Sequence, residues 1–243
     1  MNQEIIIGAH SIREAIKNPL RSGKELLCTE DSLKNFAEYK KEPWIKLLST
    51  NEFQARTQKL YQMSGFEYFR IPGTALLLTD ELPILETEEF FKSAPHIKNL
   101  KVMCLDQVTD VQNAAAILRT AAFYGVHYLV VEKKNSFRLT PSFYRIASGA
   151  TEHVPMVRIS TLTKFVTKLK EHNIKTIGFS EHAKGEARPD ADEKKCLIFG
   201  SEDLGISHAV LRLLDNVVSL EAKGAIKSLN VSNAVAIAMD RFF

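Results

Sequence analysis

From residue 101 onward the sequence alternates short apolar runs with amphipathic ones, and few folds satisfy that pattern. "KVMCLD", "HYLVVE", "VPMVRI", "IKTIGFS", "CLIFG" and "NVVSL" each read as a strand. Between them, "VQNAAAILRTAAFYG", "TPSFYRIASGA", "TLTKFVTKLKEHN" and "SHAVLRLLD" read as helices. Val231, Val235, Ala238, Met239 and Phe242 then recur at helical spacing, so the chain ends in a helix with one apolar face. Apolar strands alternating with helices predict an α/β fold, a mostly parallel sheet covered on both faces. In such sheets ligands bind beyond the carboxyl ends of the strands. The residues that follow each strand are therefore the ones to inspect.

The first 80 residues alternate in the same way on a smaller scale. "EIIIG", "KELLCT", "WIKLLS" and "TALLLT" read as strands, and "HSIREAIKN", "EDSLKNFAEYKK" and "NEFQARTQKLYQM" as helices. Residues 81–100 hold two prolines and an acidic cluster, and read as a linker carrying a short helix. The expected organisation is a small α/β domain over 1–80, a linker over 81–100 and a larger α/β domain over 101–243.

Composition excludes several classes. No stretch approaches the roughly 20 apolar residues needed to cross a bilayer. The opening "MNQEIIIGAHSIREAIKN" has neither the basic region nor the apolar core of a signal peptide. Cys28, Cys104 and Cys196 are far apart, odd in number and without CxxC spacing, which argues against disulfide and zinc frameworks and for a cytoplasmic protein. The net charge of +3 permits a nucleic-acid partner without demanding one.

Three motifs follow strands or open helices. The first, "LDQVTDVQNAAAILRTAAFYGV", sets Asn113 and Arg119 six residues apart on one helix. Alone it reads equally as a core helix with a capping Asn and a solvated Arg. In the second, "LIFGSEDLGIS", a strand ends in Gly200-Ser201-Glu202 and Gly205 follows. Glycine there lets a ligand approach the backbone, or simply makes a turn. The third, "SLNVS", leads into the last helix, and capping explains one of Ser228, Asn230 and Ser232 better than all three.

In this order and spacing the motifs are specific. Residues 102–242 resemble the SpoU (TrmH-type) branch of the SPOUT RNA methyltransferases. The resemblance rests on Asn113 with Arg119-Thr120-Ala121, on Gly200-Ser201-Glu202 with Gly205, on Ser228 to Ser232, and on "LTPSFYRIASGATEHVP" between them. The first domain resembles that family's small RNA-binding extension, with "IIIGAHSIREAI" as its opening. The resemblance implies a C-terminal trefoil knot and transfer of a methyl group from S-adenosylmethionine to a ribose 2′-hydroxyl without a metal. It also implies a homodimer whose site is completed by the second chain. Within it, Asn113, Arg119, Glu202, Ser228 and Asn230 are the catalytic set. Gly200, Gly205, Leu220 and Leu229 would hold the cofactor, with Ile198 and Phe199 walling its adenine. Lys133, Lys134, Arg138, Arg145 and Arg158 form a basic run suited to RNA phosphates or simply to solvent. The domain architecture favours ribosomal RNA, a guanosine of the large subunit, over transfer RNA.

The sequence departs from the family pattern at Ala115, Leu220-Glu221-Ala222, Lys227 and Ile71-Pro72-Gly73, and the last of these bears on target choice. Two other functions compete. A nucleotide-dependent oxidoreductase would need a GxGxxG fingerprint, which is missing. A non-catalytic RNA-binding or ribosome-assembly factor on the same fold would bind RNA and transfer nothing.

Overall fold

A computed structural model describes residues 3–183, 193–226 and 228–243. In chain order its strands are β1 (Gln3–Ile7), β2 (Glu25–Cys28), β3 (Ile45–Leu47), β4 (Ala75–Asp80), β5 (Leu85–Glu86), β6 (Lys101–Asp106), β7 (Tyr128–Glu132), β8 (Met156–Ile159), β9 (Lys175–Phe179), β10 (Lys195–Gly200) and β11 (Asn216–Val218). Its α-helices are α1 (Ala9–Lys17), α2 (Glu30–Leu33), α3 (Thr50–Met63), α4 (Thr87–Ser93), α5 (Val111–Phe123), α6 (Pro141–Ala147), α7 (Leu162–Glu171), α8 (His208–Leu211) and α9 (Val231–Phe242). The chain forms two compact units, one of residues 1–83 with 139–152, the other of 84–138 with 153–243.

The first unit is built on a four-stranded mixed sheet in the order β1-β4-β2-β3. Side chains alternate across it, so Ile6 and Leu77 meet Ile12, Ala15 and Phe36 on one face. Ile5, Ile7, Leu76 and Leu78 meet Phe53 and Tyr61 of α3 on the other. Helix α3 starts at a capping box, in which Ser49 and Glu52 each accept the other's backbone N–H. The run "EDSLKNFAEYKK", expected as one helix, breaks near Phe36 (φ −133°) into α2 and a 3-10 turn. Residues 139–152 join this unit through a buried ion pair. Arg21 reaches Glu152 at 2.8 Å and also pairs with Glu4, while Ser11 Oγ donates to the Tyr144 carbonyl at 2.6 Å.

The second unit holds a seven-stranded parallel sheet in the order β11-β9-β10-β6-β7-β8-β5. Every residue of β10 is buried, as a strand covered on both faces requires. One face packs on Phe90 of α4 and on Leu162, Phe165, Val166 and Leu169 of α7. Elsewhere in the unit α9 packs on α5 and on β10. The stretch 81–100, expected as a linker, instead contributes an edge strand and core to this unit. Leu85–Glu86 pairs with β8, and Phe90 is fully buried. The boundary at 101 is thus displaced, because these side chains bury themselves against strands distant in sequence.

The chain end is anchored. Val235, Ala238 and Met239 of α9 are fully buried, and buried Lys195 donates to the Phe242 carbonyl at 3.2 Å. Cys104 and Cys196, 92 positions apart, lie side by side with their sulfurs 3.3 Å apart, and both are free thiols. Cys104 is the register partner of Ile198 and Cys196 that of Val102. The two α-carbons are therefore about 8 Å apart from strand spacing and rise, beyond the reach of a disulfide.

Candidate functional site

The sheet order reverses direction at β6, whose neighbours are β7 on one side and β10 on the other. That is the switch point of an open α/β sheet, where the connections leaving the adjacent strands β6 and β10 run to opposite sides and leave a crevice. The ends of β6 and β10 are in register there, with Asp106 opposite Gly200. Asp106 is buried, and its Oδ2 accepts the Ser207 backbone N–H at 2.8 Å, tying the far end of the loop after β10 to β6.

That loop explains its own glycines. Gly205 N donates to the Ser201 carbonyl at 2.9 Å, folding residues 201–205 back on the strand. A Cβ on Gly200 would stand 1.9 Å from the Gly205 carbonyl carbon, so no side chain fits. Gly205 has φ +64° with open space around it, and is required for its backbone angle. Gly200 is thus demanded by the turn itself, and Glu202 is exposed at the turn.

Helix α5 begins at Asp110, whose Oδ1 accepts the Asn113 N–H at 2.7 Å and fixes the first turn. Helix α9 begins at Asn230, whose Oδ1 accepts the Ser232 backbone N–H at 2.9 Å and the Ser232 hydroxyl at 2.6 Å. Those bonds set the orientation of the Asn230 amide, so Nδ2 faces the other two motifs. It donates to Glu202 Oε1 at 2.6 Å and to Asn113 Oδ1 at 3.0 Å. Asn113 Nδ2 donates to the same Glu202 oxygen at 2.9 Å. Three residues from three distant motifs thus close a hydrogen-bonded triangle at the carboxyl end of the sheet. Among the described residues, Glu202 Oε2 takes no hydrogen bond, which leaves one carboxylate oxygen open to a donor or a cation.

The other expected catalytic residues do not join the triangle. Arg119 is exposed on α5. Six residues place it about 9 Å along the helix from Asn113 and roughly 120° around it. Ser228 is exposed ahead of α9, and Ser232 takes the hydrogen-bonding role within that motif. Asp106 and Asp110 belong to the scaffold of the site. Asp110 has the sequence signal of a helix cap, whereas Asp106 has none beyond its place at a strand end.

The expected cofactor residues divide by burial. Ile198 is fully buried in the core, and Phe199 stacks on Phe179 with ring centres 4.5 Å apart. Both side chains pack in the interior at the carboxyl-terminal half of β10, next to the turn that carries Glu202. Leu220 is half-buried, whereas Leu229 and Leu204 are exposed beside Asn230 and Glu202. Ala115, where the family pattern has glycine, is fully buried on the core side of α5, so its methyl fills the helix packing and does not narrow the site.

The expected basic run is dispersed. Lys133 pairs with Glu86 at 2.7 Å, and Arg158 on β8 is the register partner of that same Glu86. Lys134 and Arg138 are exposed, and Arg145 lies on α6, in the first unit. Among the described residues no group of His, Cys, Asp and Glu is arranged to hold a metal ion. No helix among them is long and apolar enough to cross a membrane.

Comparison with known proteins places this geometry. A Staphylococcus aureus (strain MSSA476) protein named for the TrmH family of tRNA/rRNA methyltransferases is 27% identical over 248 residues, spanning 100% of this chain and 96% of its own. YacO of Bacillus subtilis (strain 168), named for the same family, is 28% identical over 239 residues, spanning 97% of this chain and 93% of its own. The fold matches that of the SpoU methyltransferase AviRb from Streptomyces viridochromogenes with a TM-score of 0.78 at 20% identity, over 98% of this chain and 88% of that one. The sequence model of the SpoU rRNA Methylase family matches residues 101–240, the segment that carries all three motifs. This chain belongs to that family and is an RNA methyltransferase.

Proposed function

We propose that the protein methylates a ribose 2′-hydroxyl of RNA in the cytoplasm, using S-adenosylmethionine, and that its target is a guanosine of large-subunit ribosomal RNA. The Asn113–Glu202–Asn230 triangle carries the reading. The donor supplies a methyl group on a cationic sulfur. Glu202 suits such a ligand, with one oxygen held by two amides and the other open. The AviRb fold is also known in complex with AdoMet. The exposed Leu229, next to Asn230 in sequence, and Leu204, two residues after Glu202, offer apolar cover for a purine. Backbone at Gly200, Gly205 and Leu220 completes the hold.

Asn113 and Asn230 orient the incoming hydroxyl through their amides and keep Glu202 in place. Arg119 meets the negative charge that develops on the 2′-oxygen as its proton leaves to water or a phosphate oxygen. Arginine stays protonated in proteins, which makes it a charge partner and not a base. Because Arg119 stands off the triangle, a second copy of the chain completes the site in this reading. The exposed Phe123 and Ile226 supply apolar surface for a homodimer. The trefoil knot belongs to the same proposal, and the anchored α9 supports it.

Ribosomal RNA is favoured by architecture. An rRNA methyltransferase from Sinorhizobium meliloti matches the fold over 98% of this chain with a TM-score of 0.74. A tRNA-modifying TrmH/SpoU enzyme of A. aeolicus matches over only 64%, with a TM-score of 0.52. The test is a ribose-methylation profile of total RNA from cells lacking the gene, restored with wild type or Asn230→Ala. One site lost, then regained only with wild type, is the expected result. An unchanged profile would favour the assembly-factor reading.

A further inference from the structure

The loop of residues 64–74 joins α3 to β4, and it is built to hold one aromatic ring outward. Gly65 and Gly73, at φ +68° and +82°, turn the chain at its two ends. Between them Phe66 and Tyr68 pack on the core, and Ile71 is buried in it. Phe69 is 43% exposed.

Phe69 does not hang free. The ring of fully buried Tyr61 stands under the loop, with its centre 5.9 Å from that of Phe69 at 87°. Tyr61 also meets Tyr68 at 5.6 Å and Phe66 at 6.3 Å, both edge-on. Three rings converge on one core residue, and such edge-to-face contacts fix ring orientation. A ring held in place loses little freedom when a ligand covers it.

Charges of both signs stand near Phe69 in the loop, with Glu67 exposed two residues before it. Arg70 follows in sequence and is exposed. Arg145 of α6 is exposed as well, its Cγ stands 3.3 Å from where a Cβ on Gly8 would lie, and its charge pulls the Tyr61 phenol partly back from the rise that burial causes. A single exposed apolar residue needs no explanation. A propped ring next to Arg70 in sequence, in the same compact unit as Arg145 and on an RNA-modifying enzyme, has one.

We propose that Phe69 is a stacking platform for an unpaired RNA base, with Arg70 and Arg145 holding the adjoining phosphates. The proposal rests on the reading that this enzyme acts on RNA. It names single-stranded RNA because bases within a duplex offer no free face, whereas bases in loops and bulges stack on exposed aromatic rings. The platform selects the target through its unpaired context, and the Asn113–Glu202–Asn230 site performs the reaction.

The test uses the full-length protein and a fluorescein-labelled, unstructured single-stranded RNA, with its duplex form as comparison. Fluorescence anisotropy is measured over a series of salt concentrations. Phe69→Ala should weaken single-strand binding about tenfold, the order expected for one lost base stack, and leave the salt slope unchanged. Phe69→Trp should restore binding. Arg145→Gln should weaken binding and reduce the salt slope by about 0.7, one phosphate contact on a single strand. Leu47→Ala, an exposed apolar side chain on the edge strand β3, should bind as wild type. Wild-type affinity in Phe69→Ala, or equal weakening on duplex, would overturn the platform alone. Failure of the wild-type protein to bind either RNA would overturn the RNA reading with it.

Discussion

Asn230 Nδ2 donates to Glu202 Oε1 at 2.6 Å, and the same Asn230 side chain caps α9 through Oδ1. One residue thus starts the last helix and fastens it to the turn after β10. The two roles separate by substitution. Asn230→Ser keeps a capping side chain and should change stability by only a few tenths of a kcal/mol, whereas Asn230→Ala should cost about 1 kcal/mol. Both should lose methyl transfer by about 100-fold or more, because both lack the amide donors. Thermal melts alongside methyl-transfer assays measure this. An active Asn230→Ser would reduce the residue to a cap.

Arg119 is exposed and stands apart from the triangle, so its removal has little to disturb in the fold. Arg119→Ala should change stability by less than about 0.5 kcal/mol and yet abolish turnover. Arg119→Lys should recover only part of the activity if the planar fork contacts both the 2′-oxygen and a phosphate. Near-normal turnover in the Lys variant would mean that a point charge suffices.

The two glycines of the second motif should respond unequally. Gly200→Ala drives a methyl into the backbone at Gly205 and should cost about 3 kcal/mol. Gly205→Ala meets open space and carries only the positive-φ penalty of about 1–2 kcal/mol. Denaturant midpoints decide the order, and a reversed order would contradict the turn described.

Arg21 is buried between Glu4 and Glu152. Arg21→Met leaves both carboxylates without their cation and should cost about 3–5 kcal/mol near neutral pH. Burial pushes the Glu4 carboxyl up, and Arg21 pulls it partly back. A carboxyl raised in the folded state stabilises fully below its unfolded value and loses that contribution as pH rises through the folded value. Without Arg21 the rise should grow, so the deficit of the variant should narrow as pH falls toward about 4. Urea unfolding at a series of pH values measures it, and a deficit constant with pH would contradict the ion-pair account.

Tyr61 carries a buried hydroxyl with no hydrogen-bond partner among the described residues, and burial pushes its phenol well above the ordinary tyrosine range. Tyr61→Phe removes an unsatisfied polar group and keeps the ring. It should be neutral or stabilising by up to about 1 kcal/mol in thermal unfolding.

Most element positions were legible because hydrophobic period is a local property. Apart from β5, the strands of both sheets and the long helices α3, α5, α7 and α9 fall where the patterns put them. What was misread depends on partners far away in sequence. Leu85 and Glu86 are a strand only because β8 lies beside them, so two prolines and an acidic cluster passed for a linker. Residues 139–152 read as part of the larger domain, but Arg21 and Ser11 hold them to the smaller unit. Cys104 and Cys196 looked remote and are neighbours.

The site shows the same limit. Asn113, Glu202 and Asn230 could be singled out by the order of the motifs, but only the fold brings them within hydrogen-bond distance. Burial of Ile198 and Phe199 followed from β10 being covered on both faces, a point the continuous apolar run "CLIFG" already implied.

The most direct measurement incubates purified protein with radiolabelled S-adenosylmethionine and unmodified ribosomal RNA, then digests the RNA to nucleosides. Label in a single kind of 2′-O-methylnucleoside, absent with Asn230→Ser, is the predicted result. Label in a methylated base, or equal label with the Asn230→Ser protein, would contradict the assignment of ribose methylation to the joined motifs.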